Sequence, residues 1–260
     1  MAQIERSPFA EAAPYYRFRA PYPSACFDHV RDAFGLDRTH RALDLGCGPG
    51  TLSIPFSHIA GEVVAADPDP GMLAQGRADS AGRANIAWLE GRAEDLPPRL
   101  GTFRVVTMGQ SFHWMNRDAV LNILSGVVAD GGGLALFNPG KRRPQESWEI
   151  TAAAVVTRFL GKRPRDPRAN PREPAHEPAL LRSAHFSHFE SREFASEIVR
   201  DIPSILGNLY SSSGAAKSLF GDRRGEFEDA LHAALLELNS SGVFHEHLET
   251  EVMIVRKRSP

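Results

Sequence analysis

One stretch decides the fold: Ala42-Leu43-Asp44-Leu45-Gly46-Cys47-Gly48-Pro49-Gly50. The apolar run up to Leu45 predicts a buried strand, and the glycines after it predict a tight turn. Helix-compatible residues follow at 51–54, and a second strand-like run extends from Glu62 to Asp67. The glycines therefore lie between a strand and a helix inside a βαβ unit, a setting typical of nucleotide-like ligand sites.

The glycine spacing discriminates between ligands. The dinucleotide fingerprint requires G-x-G-x-x-G, with the pyrophosphate at a helix N-terminus. This chain has Asp44-x-Gly46-x-Gly48-x-Gly50 instead. The pattern resembles motif I of the class I S-adenosylmethionine-dependent methyltransferases. The resemblance implies S-adenosyl-L-methionine as the cofactor, with Asp44, Gly46 and Gly48 in its site.

This ligand carries no phosphate, so the loop is expected to let the backbone approach an amino-acid and ribose portion. A Cβ at Gly46 or Gly48 would obstruct that approach. Asp67 ends the second predicted strand, seventeen positions after Gly50, and is placed to accept hydrogen bonds from both ribose hydroxyls. The alternative is a tight turn with an ordinary solvated aspartate.

Composition narrows the class of protein. With 260 residues and 42% hydrophobic content, the chain can bury one large core. The net charge of −2 favours neither nucleic acid nor an anionic membrane as a partner. No apolar run reaches the roughly 18 residues of a membrane span. Cys26 and Cys47 favour a reduced, cytoplasmic compartment, because a disulfide at Cys47 would distort the glycine loop. We expect a cytoplasmic monomer or homodimer with a small-molecule acceptor.

Strand and helix signals alternate up to residue 137. Strands are predicted at 41–45, 62–67, 85–90, 103–108 and 133–137, and helices at 22–36, 51–59, 71–81 and 117–128. The alternation predicts an α/β fold with a Rossmann-like, doubly wound, mostly parallel sheet. In such sheets, ligands bind at the carboxyl ends of the strands.

The pattern changes beyond residue 140. The sequence predicts a helix at 146–159, a proline-rich loop at 161–178, a strand at 186–199, helices at 202–212 and 225–239, and a strand at 243–256. This layout resembles the family's seven-stranded sheet with a helical lid insertion after strand five. The predicted segments are a cofactor-binding core with its N-terminal leader at 1–140, a substrate lid with a return strand at 141–213, and a helix and strand that complete the core at 214–260.

Two further segments resemble the family. The first is Asp67-Pro68-Asp69-Pro70-Gly71-Met72-Leu73, which implies that Met72 lines the adenine pocket; core packing is the alternative. The second is Gly91-Arg92-Ala93-Glu94-Asp95-Leu96-Pro97, which implies adenine contacts from Ala93 and Glu94. Arg92 stands where many relatives have an acid, and a charged surface turn is the alternative interpretation of this loop.

The segment after strand four is Met108-Gly109-Gln110-Ser111-Phe112-His113-Trp114. It resembles the A-x-x-x-H-W segment of the methyltransferase type 11-like group, which includes trans-aconitate methyltransferase-like and ubiquinone-pathway methyltransferase-like enzymes. The resemblance implies that Gly109 and Gln110 contact the methionine part and that His113 is the catalytic base or a substrate orienter. Phe112 and Trp114 are then expected in the substrate pocket. A structural histidine is the alternative.

The N-terminal leader Tyr15-Tyr16-Arg17-Phe18-Arg19-Ala20-Pro21-Tyr22-Pro23 resembles the Y-x-x-x-R-P-x-Y-P leader of the same group, with Ala20 in place of the first proline. The resemblance implies that Tyr16 and Arg19 contact the cofactor, since the planar guanidinium of Arg19 suits a carboxylate. An aromatic leader that packs without touching ligand is the alternative.

Three other features are interpreted as structural. The histidine pairs at 185/188 and 245/247 have no cysteine partner, so no metal is expected. The basic run at 162–172 lacks interleaved aromatic residues and is interpreted as a solvated loop. Phe137-Asn138-Pro139-Gly140 lacks the second proline and the aromatic of a base-flipping N-P-P-Y motif.

The resulting hypothesis is a methyltransferase that acts on an oxygen, nitrogen or carbon nucleophile of a small molecule, such as a bacterial secondary-metabolite intermediate. A small carboxylic acid such as trans-aconitate is an alternative acceptor. A non-catalytic scaffold or regulatory partner that binds S-adenosylmethionine is an alternative function. An NAD-dependent oxidoreductase would require the other glycine spacing.

Overall fold

The computed structural model describes residues 11–97, 99–139, 146–161 and 176–258. Its strands are β1 Arg41–Leu45, β2 Glu62–Asp67, β3 Ile86–Glu90, β4 Phe103–Gly109, β5 Val128–Pro139, β6 Phe186–Asp201 and β7 Val243–Lys257. Its α-helices are α1 Ser24–Phe34, α2 Ser53–Phe56, α3 Pro70–Asp79, α4 Arg117–Val127, α5 Ser147–Leu160, α6 Glu177–Arg182, α7 Ile202–Tyr210 and α8 Arg224–Leu238.

The strands form one seven-stranded sheet in the order β3-β2-β1-β4-β5-β7-β6. The pairs β1–β2, β1–β4, β2–β3 and β4–β5 are parallel, whereas β5 and β7 are antiparallel. The strand order reverses between β1 and β4, which is where doubly wound sheets open a ligand crevice. The predicted fold class is confirmed. The helices α5 and α6 follow β5 in the chain, and their action as a lid stays a prediction.

Alternate residues of β1 enter two different cores. Leu43 packs in a fully buried cluster with Leu124 of α4. Ala42 packs in a second cluster with Phe34 of α1. A strand covered on both faces needs apolar residues at nearly every position. This explains why the apolar stretch of β1, from Ala42 to Leu45, is interrupted only by Asp44.

The described residues divide into two compact units. One unit contains residues 11–20, 146–161 and 195–248, and the other contains residues 21–139, 176–194 and 249–258. The first has its own apolar core, built from α5, α7 and α8, and a buried ion pair between Arg200 and Glu246. This division by compactness does not test the three functional segments predicted from the sequence, which stay a prediction.

Prolines account for two differences from the predicted helices. The helix predicted at 51–59 is only four residues long in the structure. Its late start at Ser53 follows from Pro55, which has no N–H to donate to the carbonyl of Thr51. The helix α6 is absent from the sequence prediction. There Pro178 lies in the first turn, where a helix does not need the missing N–H. The predicted loop at 162–175 lies outside the described residues.

Within residues 11–97, 99–139, 146–161 and 176–258, no helix is both long enough and apolar enough to span a bilayer.

Candidate functional site

Backbone hydrogen bonds hold the loop after β1 against the end of β2. The N–H groups of Gly46 and Cys47 donate to the carbonyl oxygen of Ala66 at 2.8 and 3.1 Å. The three glycines of the loop adopt positive φ, namely +64° at Gly46, +54° at Gly48 and +91° at Gly50. Residues with a Cβ rarely adopt this conformation. The spacing of the glycines therefore produces the turn.

Asp67 joins this loop to β2. Its two carboxylate oxygens accept hydrogen bonds from the N–H groups of Gly48 at 2.8 Å and Asp69 at 2.9 Å. Burial raises the pKa of Asp67, and these two bonds partly offset the effect. Each carboxylate oxygen carries two lone pairs, so the side chain keeps capacity to accept ligand hydroxyls. The predicted ribose contact fits this geometry and stays a prediction.

Asp44 makes its hydrogen bonds inside the protein. It is 1% exposed, and it accepts hydrogen bonds from Ser53 Oγ at 2.5 Å and Thr107 Oγ1 at 3.0 Å. Burial is the main cause that raises the pKa of Asp44 to about 6. The side chain thus connects β1 to the start of α2 and to β4. Its predicted contact with the cofactor stays a prediction.

The space around Gly46 is limited by the protein itself. A Cβ at Gly46 would lie 2.5 Å from the Cβ of Ser111. Ser111 is buried, and its hydroxyl donates to the carbonyl oxygen of Leu45 at 2.6 Å. The sequence analysis missed Ser111, since a single serine after a strand carries no pattern. Gly46 is thus required for packing between two loops, whatever ligand the site accepts.

The end of β4 carries an unusual backbone conformation. Gln110 is exposed and has φ of +50°, which is uncommon for a residue with a side chain and often marks a functional turn. Its N–H donates to the carbonyl oxygen of Phe137 at 3.0 Å. A Cβ at Gly109 would come within 3.0 Å of both Leu52 and Tyr22. The strand end thus turns sharply where the cofactor contact of Gly109 and Gln110 is predicted.

Of the three residues predicted to contact adenine, two are buried and the third is bonded to a neighbouring loop. Met72 and Ala93 are 2% and 7% exposed. Glu94 accepts a hydrogen bond from the N–H of Asn116 at 2.8 Å and lies 3.5 Å from Arg92 Nε. Its carboxylate therefore anchors the residue that caps α4. Adenine contacts from these three residues stay predictions.

His113 lies in a short 3₁₀ turn, Phe112–Trp114, directly after β4. Its ring centroid is 5.3 Å from that of Trp114 and 6.3 Å from that of His176. Burial, and then the positive charge of Arg117, lower the pKa of His113. Phe112 is 1% exposed and packs in the core. The predicted substrate contacts of Phe112 and Trp114 stay predictions.

The two leader residues lie in the first compact unit. The guanidinium of Arg19 donates to Ser211 from Nε to Oγ at 3.1 Å and from an Nη to the carbonyl oxygen at 2.7 Å. It also lies 4.0 Å from the ring centroid of Tyr16. The leader is therefore tied to the end of α7. Contacts of Tyr16 and Arg19 with the cofactor stay predictions.

Three histidines of the two pairs noted in the sequence lie beside polar side chains. His185 Nε2 lies 3.2 Å from Asn122 Oδ1, His245 Nδ1 lies 2.5 Å from Glu197 Oε1, and His247 Nδ1 lies 3.1 Å from Glu146 Oε1. The described part of the chain contains no cluster of three or more ligand side chains able to hold a metal. The basic run at 162–172 lies outside that part.

The part of the chain that contains the glycine loop is similar to known methyltransferases. Residues 42–132 match a family described as "Methyltransferase domain". An uncharacterized methyltransferase of Mycobacterium tuberculosis is 34% identical over 122 residues, 47% of each chain. A ubiquinone biosynthesis O-methyltransferase of Azorhizobium caulinodans is 41% identical over 123 residues, 46% of this chain and 48% of that protein. This chain thus matches about half the length of these curated relatives.

Solved structures share the fold over a longer range. An S-adenosylmethionine-dependent methyltransferase from Thiobacillus denitrificans, in complex with S-adenosyl-L-homocysteine, has a TM-score of 0.52 at 13% identity, and covers 96% of this chain and 98% of its own. The YcgJ protein from Bacillus subtilis has a TM-score of 0.55 at 15% identity, over 91% of this chain and 100% of its own. At these identities the similarity concerns the fold. The glycine loop lies inside the matched residues 42–132, and this part of the chain is therefore similar to a methyltransferase domain.

Proposed function

We propose that the chain binds S-adenosyl-L-methionine at the carboxyl ends of β1, β2 and β4 and transfers its methyl group to a small molecule. The observation that carries the proposal is the contact of the glycine loop with Asp67. The loop turns at three positive-φ glycines, and the Gly48 N–H fixes a buried carboxylate that still has lone pairs to offer. This geometry suits a ligand that presents hydroxyls to Asp67 and lies close to the backbone.

The reaction requires alignment and one proton acceptor. When bound, S-adenosylmethionine supplies a methyl group on positively charged sulfur. Gly46, Gly48 and Asp67 would hold this cofactor, which would supply an electrophilic methyl carbon to the acceptor nucleophile and a sulfur leaving group. The acceptor proton passes to the neutral imidazole of His113. Alignment alone can contribute about 7 to 11 kcal/mol in model reactions, so one base beside an aligned acceptor is all that the proposal requires.

Neutral His113 is supported by its surroundings. Burial and Arg117 both lower the pKa of His113, so the ring is uncharged near neutral pH and able to accept a proton. A general base of this type contributes about 100-fold to 10,000-fold to a rate. The assignment of His113 as base, and not only as orienter, belongs to the proposal.

The acceptor is proposed to be a small molecule with an oxygen, nitrogen or carbon nucleophile, such as an intermediate of bacterial secondary metabolism. Relatives with partial coverage carry names for both oxygen and carbon methylation, "Ubiquinone biosynthesis O-methyltransferase" and "Ubiquinone/menaquinone biosynthesis C-methyltransferase UbiE". These names support a small organic acceptor and leave the nucleophilic atom open. A carboxylic acid such as trans-aconitate remains the alternative acceptor class.

The proposal also covers the cellular location and the assembly of the protein. Both cysteines are free and buried, which supports a reduced, cytoplasmic location. Assembly as a monomer or homodimer, without nucleic acid or membrane, is part of the same proposal.

Titration calorimetry tests cofactor binding directly. S-adenosyl-L-homocysteine should bind and raise the melting temperature, whereas NAD should do neither. The reverse result would overturn the cofactor assignment. Cofactor binding combined with no turnover across phenols, amines, enols and carboxylic acids, including trans-aconitate, would favour the non-catalytic scaffold.

A further inference from the structure

A second histidine faces His113 from another element of the same compact unit. His176 is the residue that precedes α6. Its ring is nearly parallel to that of His113, with 15° between the planes and 6.3 Å between the centroids. Its centroid also lies 5.3 Å from that of Phe112. The His113 turn therefore has an aromatic neighbour that lies 63 positions further along the chain.

The position of His176 is fixed by the core beneath it. Ala179 and Leu180, in the first turns of α6, are 4% and 1% exposed and pack in the cluster that contains Phe112. The N–H groups of both residues donate to the carbonyl oxygen of His176 at 3.1 Å. The backbone of His176 is thus tied to a helix whose Ala179 and Leu180 are buried.

One ring nitrogen of His176 has no hydrogen-bond partner among the described residues. This nitrogen, Nδ1, is buried. Replacing this nitrogen by carbon would therefore remove no hydrogen bond of Nδ1 within the described residues. The placement of His176 supplies a ring beside those of His113 and Phe112.

Charged groups around the pair favour two neutral rings. Arg117 on α4 acts on both imidazoles, while Asp118 on α4 and Arg182 on α6 act on Arg117. Burial, then Arg117 and His113, lower the pKa of His176 to about 4. Two uncharged rings do not repel each other electrostatically, so they can lie nearly parallel at this distance.

We infer that His176 is a positioning residue for His113: its ring holds the His113 ring in one orientation and keeps water away from it. The inference rests on the proposed function, because His113 acts as the base there. A ring at position 176 is what matters, and its nitrogen atoms are not required for this role.

NMR of the imidazole rings tests the inference in the full chain without any acceptor. The parent should show one His113 tautomer and a His113 pKa below the ordinary value of about 6.5. In His176→Ala, water reaches His113, so the pKa should rise toward 6.5 and the tautomers should mix. His176→Phe keeps a ring and should match the parent. The exposed His185 provides the control His185→Ala, which should also match the parent.

An unchanged His113 pKa in a folded His176→Ala protein would overturn the inference. So would a His176→Phe protein that behaves like His176→Ala, since that result would assign the effect to nitrogen. Calorimetry with S-adenosyl-L-homocysteine separates the two proposals. If the parent does not bind this probe, the proposed function fails, whereas the NMR comparison still decides whether His176 positions His113.

Discussion

The loop after β1 and the loop after β4 form neighbouring parts of the site in different ways. Backbone groups build the first, through positive φ at three glycines and N–H bonds to Ala66 and Asp67. Side chains build the second, through the packing of Phe112, His113 and a histidine from the start of α6. The first loop is encoded within nine residues of sequence, whereas the second depends on a segment far along the chain.

This difference predicts different consequences of mutation. A change in the backbone-built loop alters the path of the chain, so it should abolish binding. A change in the side-chain-built loop leaves the path of the chain intact, so it should alter the reaction while binding persists. Five substitutions at four positions test this separation.

Gly48→Val should have the largest effect. The residue has φ of +54°, which a β-branched side chain rarely adopts, and its N–H fixes Asp67. We expect no measurable binding of S-adenosyl-L-homocysteine by calorimetry, with much of the secondary structure retained in circular dichroism.

Gly126→Ala is the matched control. Gly126 lies in α4, and a Cβ there would meet nothing within 4 Å. Alanine should therefore preserve binding and stabilise the fold by about 0.4 to 1 kcal/mol. Binding by Gly48→Val within about twofold of the parent, set against this control, would show that the glycine loop is only a turn.

His113→Ala should lower turnover by about 100-fold or more while the affinity for S-adenosyl-L-homocysteine changes little. The base must be uncharged, and the pKa of His113 is lowered by burial and by Arg117. Activity of the parent should therefore rise with pH through an apparent pKa below about 6.5 and stay level above it.

His113→Gln separates the two roles left open for this residue. Glutamine can orient a substrate but cannot take up its proton near neutral pH. If it retains much of the parental rate, His113 is an orienter. Parental rates in both variants would make His113 a structural histidine.

The sequence predicts the backbone-built region well. The first strand, the glycine turn and the acid that ends β2 are all local patterns, and the structure contains each of them. It also predicts the parallel sheet, because buried strands read as continuous apolar runs. The sequence predicts β7 as a strand, but it does not predict that β7 runs antiparallel to β5.

Other parts of the site depend on contacts that no local pattern encodes. Ser111 matters because its Cβ limits the space at Gly46, and His176 matters because α6 brings it to His113. The sequence does not predict α6, since Pro178 is interpreted there as a helix breaker although it occupies a first turn. Non-local packing and one ambiguous proline account for these omissions.

Asp67→Ala should weaken cofactor binding by about 10-fold to 150-fold, because hydrogen bonds to a charged group contribute about 1.5 to 3 kcal/mol. The effect is smaller than that of Gly48→Val, since the backbone of the loop keeps its path. The exposed Asp79 accepts a hydrogen bond from Gln75 and provides the control Asp79→Ala. Unchanged affinity in a folded Asp67→Ala protein would remove Asp67 from the ribose site.

Ser111→Ala addresses a side-chain hydrogen bond between the two loops. Its hydroxyl donates to the buried carbonyl oxygen of Leu45 at 2.6 Å, so its loss should lower the free energy of unfolding by about 0.5 to 1.5 kcal/mol. Denaturant titration measures this change, with the less buried Ser125→Ala as control, for which a change within about 0.5 kcal/mol is expected. The Cβ that packs against Gly46 remains in alanine, so both loops should keep their geometry, and cofactor affinity should change less than in Asp67→Ala. A larger loss of affinity than in Asp67→Ala would show that the two loops form one cooperative structure, and the separation between backbone-built and side-chain-built regions would then fail.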